Sequence, residues 1–165
     1  MAARGLELSE VRLSLDPARL VAREPGVQID HFRLCLSPLA VERLLPPDTP
    51  LKQVERMEDG RIWLRVEAGR VSGSLEIRPG ASHEGRIRIE ILGVRAGRIP
   101  IPGLLWKRLL RSRLPVRPGL FLAADNRIEV DLVVLLRRKG VRIAPVRLVQ
   151  VTQDLLEIVV GDPVA

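Results

Sequence analysis

The residues best suited to catalysis or metal binding in this sequence are two histidines and one cysteine. His31 and Cys35 lie in the segment DHFRLCLS, whose composition predicts a strand. Because a strand rises about 3.3 Å per residue, their Cα atoms lie about 13 Å apart, which rules out contact within the strand. His83 belongs to a polar turn and has no partner at metal-ligand spacing. We therefore expect no catalytic centre, metal site or cofactor, and we expect Cys35 to be a buried, unreactive thiol.

Acidic residues and glycines give no further indication of catalysis. Asp125, Asp131 and Asp154 are better explained as helix caps, turn residues and a solvated helix face than as a pair for acid–base chemistry. Neither a phosphate-binding loop nor a dinucleotide-binding fingerprint occurs in the chain. The sequence therefore predicts a protein that is not an enzyme.

A basic, leucine-rich segment is the strongest candidate for a binding surface: IPIPGLLWKRLLRSRLPVRPG, residues 99–119. It predicts a helix over about 103–114, because Pro102 lies just before it and Pro115 just after it. At about 100° per residue, one broad side carries Leu105, Trp106, Leu109 and Leu110. The opposite side carries Lys107, Arg108 and Arg111, with Leu104 among them and Arg113 near the C-terminal end. This composition is typical of an amphipathic helix lying in a membrane surface.

Other interpretations of this helix stay open. Its leucines could pack into the core and leave a basic face exposed to solvent, which is the ordinary role of a surface helix. The apolar side could also form the interface of a homo-oligomer. Sequence alone does not choose between these roles and the binding of phospholipid.

The charge of the chain favours an anionic partner. The 165 residues carry a net charge of +7 and the sequence pI is about 11.0, which suits an anionic membrane surface or a nucleic acid. Acidic residues interrupt the basic ones, as in RVEAGRVSGSLEIR, and only two Trp and two Phe are available to stack on bases. These features argue against nucleic acid, which we keep as the alternative partner together with a scaffold role. Arginine-rich faces could also serve only to keep a Leu/Val-rich fold soluble.

Most of the remaining sequence alternates apolar and polar residues, as strands do. RIWLRVEAG, SLEIRP and GRIRIEILGV predict a three-stranded antiparallel meander over residues 61–95. APVRLVQVTQDLLEIVVGD predicts a C-terminal pair of strands, 146–151 and 155–160, joined by a turn at residues 152–154.

Three helices besides the basic one are predicted from their N-terminal signals. Two begin at Asp16-Pro17 and Ser37-Pro38, where a capping residue precedes a proline at the first helical position. The third runs through DNRIEVDLVVLLRRKG, capped by Asn126 and ended by Gly140. Its predicted apolar stripe comprises Ile128, Leu132, Leu135 and Leu136.

The order of these elements resembles the bacterial LmeA-type phospholipid-binding family, relatives of the tubular lipid-binding (TULIP) superfamily. The resemblance covers residues 5–161, and its most characteristic part is NRIEVDLVVLL, residues 126–136. The length of the chain predicts a single domain over residues 1–165. The resemblance implies that this domain is of the α+β class, with a strongly curved antiparallel β-sheet wrapped around a long amphipathic helix and short additional helices. It further implies an apolar groove for phospholipid acyl chains, to which Leu132, Leu135 and Leu136 would contribute.

The sequence also bears on location. No apolar run is long enough for a signal peptide, and no window approaches the roughly 18 apolar residues of a membrane span. Members of the family that it resembles usually carry an export signal or an anchor, and this chain departs from them there. We therefore expect a cytoplasmic protein that can associate peripherally with the membrane, or an extracytoplasmic one if an export segment has been removed.

Overall fold

A computed structural model describes residues 6–15, 27–45, 47, 49–113, 117–124 and 126–162. Within them, the strands are β1 (Leu6–Leu15), β2 (Val27–Leu36), β3 (Leu51–Glu58), β4 (Arg61–Ala68), β5 (Val71–Ala81), β6 (Ile87–Ala96), β7 (Ile99–Pro100), β8 (Leu120–Ala124), β9 (Arg127–Val130), β10 (Val141–Ile143), β11 (Val146–Thr152) and β12 (Leu155–Val160). The helices in the same residues are α1 (Pro38–Leu44), α2 (Gly103–Arg113) and α3 (Leu132–Arg137).

The strands form two sheets, which we name the terminal sheet and the central sheet. The terminal sheet has the order β1-β2-β12-β11, with β10 also pairing with β2. The central sheet has the order β3-β4-β5-β6-β9-β8, with β7 pairing with β6. All pairs are antiparallel except β10 with β2, which are parallel. The prediction of antiparallel sheet is thus confirmed.

The predicted α+β arrangement of one curved sheet around a long amphipathic helix is wrong. The helices in the described residues span 7, 11 and 6 residues, and none of them is long enough to fill a sheet. The two sheets cover each other instead: Val151 of β11 packs in one cluster with Val54, Met57 and Ile62 of the central sheet. Because apolar residues of both sheets meet in this cluster, they are buried without a central helix.

The predicted meander is confirmed as β4, β5 and β6. Its register places Leu64 opposite Leu75, and Leu75 opposite Val94, so that the apolar residues of three strands share one face. The predicted C-terminal pair is confirmed as β11 and β12, and the turn between them contains Asp154 at a φ of 61°. Alternation alone was sufficient for these elements, because apolar residues recur at every second position in each of them.

Helix α1 begins as its sequence predicts. The Ser37 hydroxyl accepts a hydrogen bond from the backbone N–H of Ala40 at 3.3 Å, and Pro38 is the first helical residue. The cap satisfies one of the N–H groups that a helix leaves unpaired at its start. The helix predicted after Asp16-Pro17 lies outside the described residues, as does Pro115.

The helix predicted to begin after Asn126 is wrong in its first half. Residues Arg127–Val130 form β9, in which Ile128 pairs with Ile89 of β6. The segment alternates apolar and charged residues over four positions, and the free edge of β6 selects the strand. Helix α3 starts only after Asp131, whose carboxylate accepts a hydrogen bond from the N–H of Val134 at 3.0 Å.

In the part of the chain that the structure describes, the core consists of two clusters, one centred on the terminal sheet and one between the sheets. The first contains Val146 and Val160, with Ala81 and Ile87 of the central sheet packed against it. His31 of β2 is buried, whereas Cys35 is only half-buried, so the expected burial of the thiol is not complete.

Candidate functional site

Helix α2 lies beside a part of β6 that no long strand covers. Among the described residues, β9 pairs with residues 87–90 of β6, and β7 pairs with Arg95 and Ala96. Between these pairings, the N–H of Ile101 donates a hydrogen bond to the carbonyl of Val94 at 2.8 Å. The helix then starts at Gly103, directly after Pro102, as predicted. The edge of the sheet therefore determines where α2 lies.

The broad apolar side predicted for α2 is divided between the sheet and the solvent. Trp106 and Leu110, one turn apart, are half-buried and line the space between the helix and the sheet. Leu105 and Leu109 are 60% and 58% exposed, and Leu104 is 82% exposed. The helix therefore displays three leucines beside the exposed residues Arg108 and Arg111. We call these five residues the leucine–arginine face.

An apolar groove of about 630 Å³ separates α2 from the apolar face of the central sheet. Apolar side chains from the helix and from four strands form most of its wall: Leu51, Val66, Leu75, Ile91, Val94, Trp106, Leu109 and Leu110. Thr49 and Pro50 also line it. The space is large enough to hold part of a hydrocarbon chain.

The leucines predicted on the third helix do not belong to this groove. Leu132 and Leu136 of α3 pack against the cluster of the terminal sheet, and Leu135 lies beside Gly119. None of the three lines the groove. The predicted residues of α3 and those of α2 therefore do not form one binding site.

A second cavity, of about 700 Å³, lies at the N-terminal end of α2, and we call it the polar cavity. Four cationic side chains and one carboxylate line it: Arg56, Arg61, Arg95, Lys107 and Glu76. Arg61 pairs with Glu76 at 2.6 Å, and the Arg56 guanidinium lies 3.9 Å from the centre of the Trp63 ring. Lys107, predicted on the basic side of the helix, is half-buried at this cavity, its amine 5.8 Å from the centre of the Trp106 ring.

Sequence reasoning missed the residues that the sheet contributes to both spaces. Arg95, Trp63 and Gly93 line the polar cavity from the outer face of the central sheet. Strand alternation predicts which residues share a face, but the position of α2 depends on the free edge of β6. No local signal in the sequence marks that edge.

Buried polar residues occur away from α2 as well. Glu157 of β12 is buried, pairs with Arg33 at 2.5 Å and accepts a hydrogen bond from Gln150. His31 is buried in the same sheet. Among the described residues, no group of three or more His, Cys, Asp or Glu could hold a metal ion.

Several cations on the outer face of the central sheet are paired with carboxylates. Arg65 pairs with Glu67 at 3.1 Å, and Arg86 lies 3.4 Å from Glu129 and 3.3 Å from Asp131. Burial acts to lower the pKa of the Arg86 guanidinium, but Glu129, Glu84 and Asp131 together raise the pKa above its usual value. These pairs interrupt any continuous track of positive charge along this face.

Within the residues that the structure describes, no helix is both long and apolar enough to cross a membrane. Comparison of the chain with protein-family models, with curated proteins and with solved structures finds no match.

Proposed function

We propose that this protein binds anionic phospholipid surfaces through the leucine–arginine face of α2, without catalysing a reaction. The observation that carries the proposal is the exposure of Leu104, Leu105 and Leu109 on one basic helix. Ile99, in β7 just before the helix, is also 72% exposed. Exposed apolar patches flanked by cations are typical of helices that lie in a bilayer interface.

Hydrophobic insertion and electrostatic attraction both support this role. Each methylene transferred from water to hydrocarbon contributes about 0.8 kcal/mol, so partial insertion of three leucines contributes several kcal/mol. Arg108 and Arg111 lie on the same exposed face and add about 1 kcal/mol each beside anionic lipid, a contribution that salt screens. Hydrophobic insertion therefore contributes more of the binding free energy, and the arginines select for anionic headgroups.

The apolar groove supports contact with lipid in a second way. It lies directly beneath α2, and Leu109 belongs both to its wall and to the leucine–arginine face. An acyl chain entering the groove would therefore not have to leave an apolar environment. In this role the protein is a peripheral membrane protein that holds part of a lipid molecule.

The two alternative roles make different predictions. A nucleic-acid-binding surface needs a continuous row of unpaired cations, whereas Arg56 and Arg65 of the central sheet pair with Glu58 and Glu67. A homo-oligomer formed through the leucine–arginine face would bury the leucines in the absence of lipid.

Sedimentation with vesicles tests the proposal. We expect the protein to bind vesicles containing phosphatidylglycerol at least about tenfold more tightly than pure phosphatidylcholine, since two arginines near the surface contribute about 2 kcal/mol. Raising the salt concentration should weaken the preference and leave residual hydrophobic binding. Absence of binding to both kinds of vesicle at low salt would refute the proposal. Native mass spectrometry of the same sample reports the number of subunits. A stable oligomer that binds no lipid would favour a role of the leucine–arginine face as a subunit interface.

A further inference from the structure

We infer that the polar cavity is a phosphate subsite, which binds the phosphate of a phospholipid whose acyl chain occupies the adjacent apolar groove. The inference rests on the proposed function and assigns a second, polar part to the same site. The two spaces adjoin, because Ile91, Val94 and Trp106 line both of them. A molecule with a phosphate and a hydrocarbon chain would therefore reach both spaces by passing around the edge of β6 beside Trp106.

The charges around the polar cavity favour an anion. Arg61 is matched by Glu76 at 2.6 Å, and Arg56 is matched by Glu58 at 3.0 Å. The other two cations that line the cavity are Arg95 and Lys107. Neither forms an ion pair with a carboxylate in the described part of the chain.

These two cations suit phosphate by their chemistry. The planar guanidinium of Arg95 can donate two parallel hydrogen bonds to phosphate oxygens, and the ammonium of Lys107 adds a compact charge. Lys107 comes from α2 and Arg95 from β6, so an anion between them would join the helix to the edge of the sheet. Because the Lys107 side chain is half-buried, its attraction for an anion is less screened than that of a fully exposed lysine.

Gly93 shows that the cavity has room above the sheet. It lies in β6 and lines the polar cavity, and a Cβ built on it would meet no atom within 4 Å. Its φ is not in the left-handed region, so the strand backbone accepts a side chain there. A leucine at this position would project into the cavity without changing its charge.

Isothermal titration with single-tailed probes below their micellar concentrations tests the inference on the full chain. Octyl phosphate carries both groups, octyl glucoside carries the chain without phosphate, and glycerol 3-phosphate carries phosphate without the chain. We expect octyl phosphate to bind at least about tenfold more tightly than either of the others, since it alone fills both spaces. Equal affinity for octyl glucoside, or for glycerol 3-phosphate, would overturn the inference.

Two variants test whether the phosphate binds in the polar cavity. Combined Arg95→Gln and Lys107→Gln should lower the affinity for octyl phosphate at least about tenfold and leave that for octyl glucoside unchanged. The matched control, Arg138→Gln with Lys139→Gln, removes two exposed cations beyond the end of α3 and should change neither. Gly93→Leu should produce the same selective loss by filling the space.

Circular dichroism and thermal melting show whether each variant is folded. If folded Arg95→Gln/Lys107→Gln and Gly93→Leu proteins both bind octyl phosphate like the parent, the inference is wrong. Its failure differs from failure of the proposed function. If the protein binds vesicles and both variants keep the affinity of the parent for octyl phosphate, only the phosphate subsite is refuted. If octyl phosphate binding depends on Arg95 and Lys107 but the protein does not bind vesicles, the subsite is supported and the membrane-surface role is refuted.

Discussion

Replacing Leu104, Leu105 and Leu109 together by alanine is expected to weaken binding to anionic vesicles by more than about a hundredfold. Each Leu→Ala change removes apolar surface that would enter the bilayer, and a loss of about 1 kcal/mol per partly inserted leucine totals about 3 kcal/mol. All three side chains are more than half exposed in the free protein, so the fold should not depend on them. Alanine also has the highest helix propensity, which preserves α2. The measurement is vesicle sedimentation at several lipid concentrations.

The chain offers a matched control for this triple variant. Leu39, Leu44 and Leu155 are also exposed leucines, but they lie on α1 and β12, away from the leucine–arginine face. Their combined replacement by alanine should leave vesicle binding within about twofold of the parent. Equal losses in the two triple variants would mean that leucine content, not the face of α2, governs binding. Unchanged binding in the α2 variant would exclude α2 as the contact.

Alternation of apolar and charged residues is a reliable guide to the strands of this fold. Ile62, Leu64 and Val66 predict β4 correctly, because one face of the central sheet packs on the terminal sheet and the other faces water. The same alternation is present at β9, residues Arg127–Val130, where a helix is predicted instead. A helical stripe and a short strand share apolar residues over so few positions, and pairing with β6 decides between them.

The faces of α2 could be predicted, but not which of them meets the sheet. A helical wheel groups Leu105, Trp106, Leu109 and Leu110 on one broad side, and any part of that side could be buried. The structure buries Trp106 and Leu110 partly and leaves Leu105 and Leu109 exposed, because the helix rests on the edge of β6. That edge exists because β9 stops pairing at residue 90 of β6.

The polar cavity could not be predicted for a related reason. Arg95 and Lys107 are twelve residues apart in the chain, in a strand and a helix that are joined by residues 97–102, which include β7. Trp63 and Glu76 are brought beside them by the register of β4 with β5, in which the two residues are opposite each other. Many arginines in this sequence alternate with acids in the same way, so local sequence does not distinguish Arg95 from the paired ones.

Stability of the terminal sheet depends on a close approach at Gly161, directly after β12. Its φ is 73°, and its N–H donates a hydrogen bond to the carbonyl of Pro145 at 2.9 Å. A Cβ built on Gly161 would lie 1.8 Å from the carbonyl oxygen of Asp30 in β2. Gly140 has a similar φ of 79°, but a Cβ there would meet no atom within 4 Å. Alanine at Gly140 therefore introduces backbone strain alone, whereas alanine at Gly161 introduces the same strain together with a steric collision.

Gly161→Ala is expected to lower the free energy of unfolding by more than about 3 kcal/mol, against about 1–2 kcal/mol for Gly140→Ala. The left-handed backbone conformation costs both variants a similar amount, and only at Gly161 must β12 also move away from β2 to admit the methyl group. For a chain of this size, the difference corresponds to a melting temperature roughly 5 °C lower for Gly161→Ala than for Gly140→Ala. Urea unfolding and thermal melting of the two variants measure both quantities, and failure of Gly161→Ala alone to fold agrees with the prediction. Equal losses in the two variants would contradict it, because they would mean that the carbonyl of Asp30 does not approach Gly161 closely.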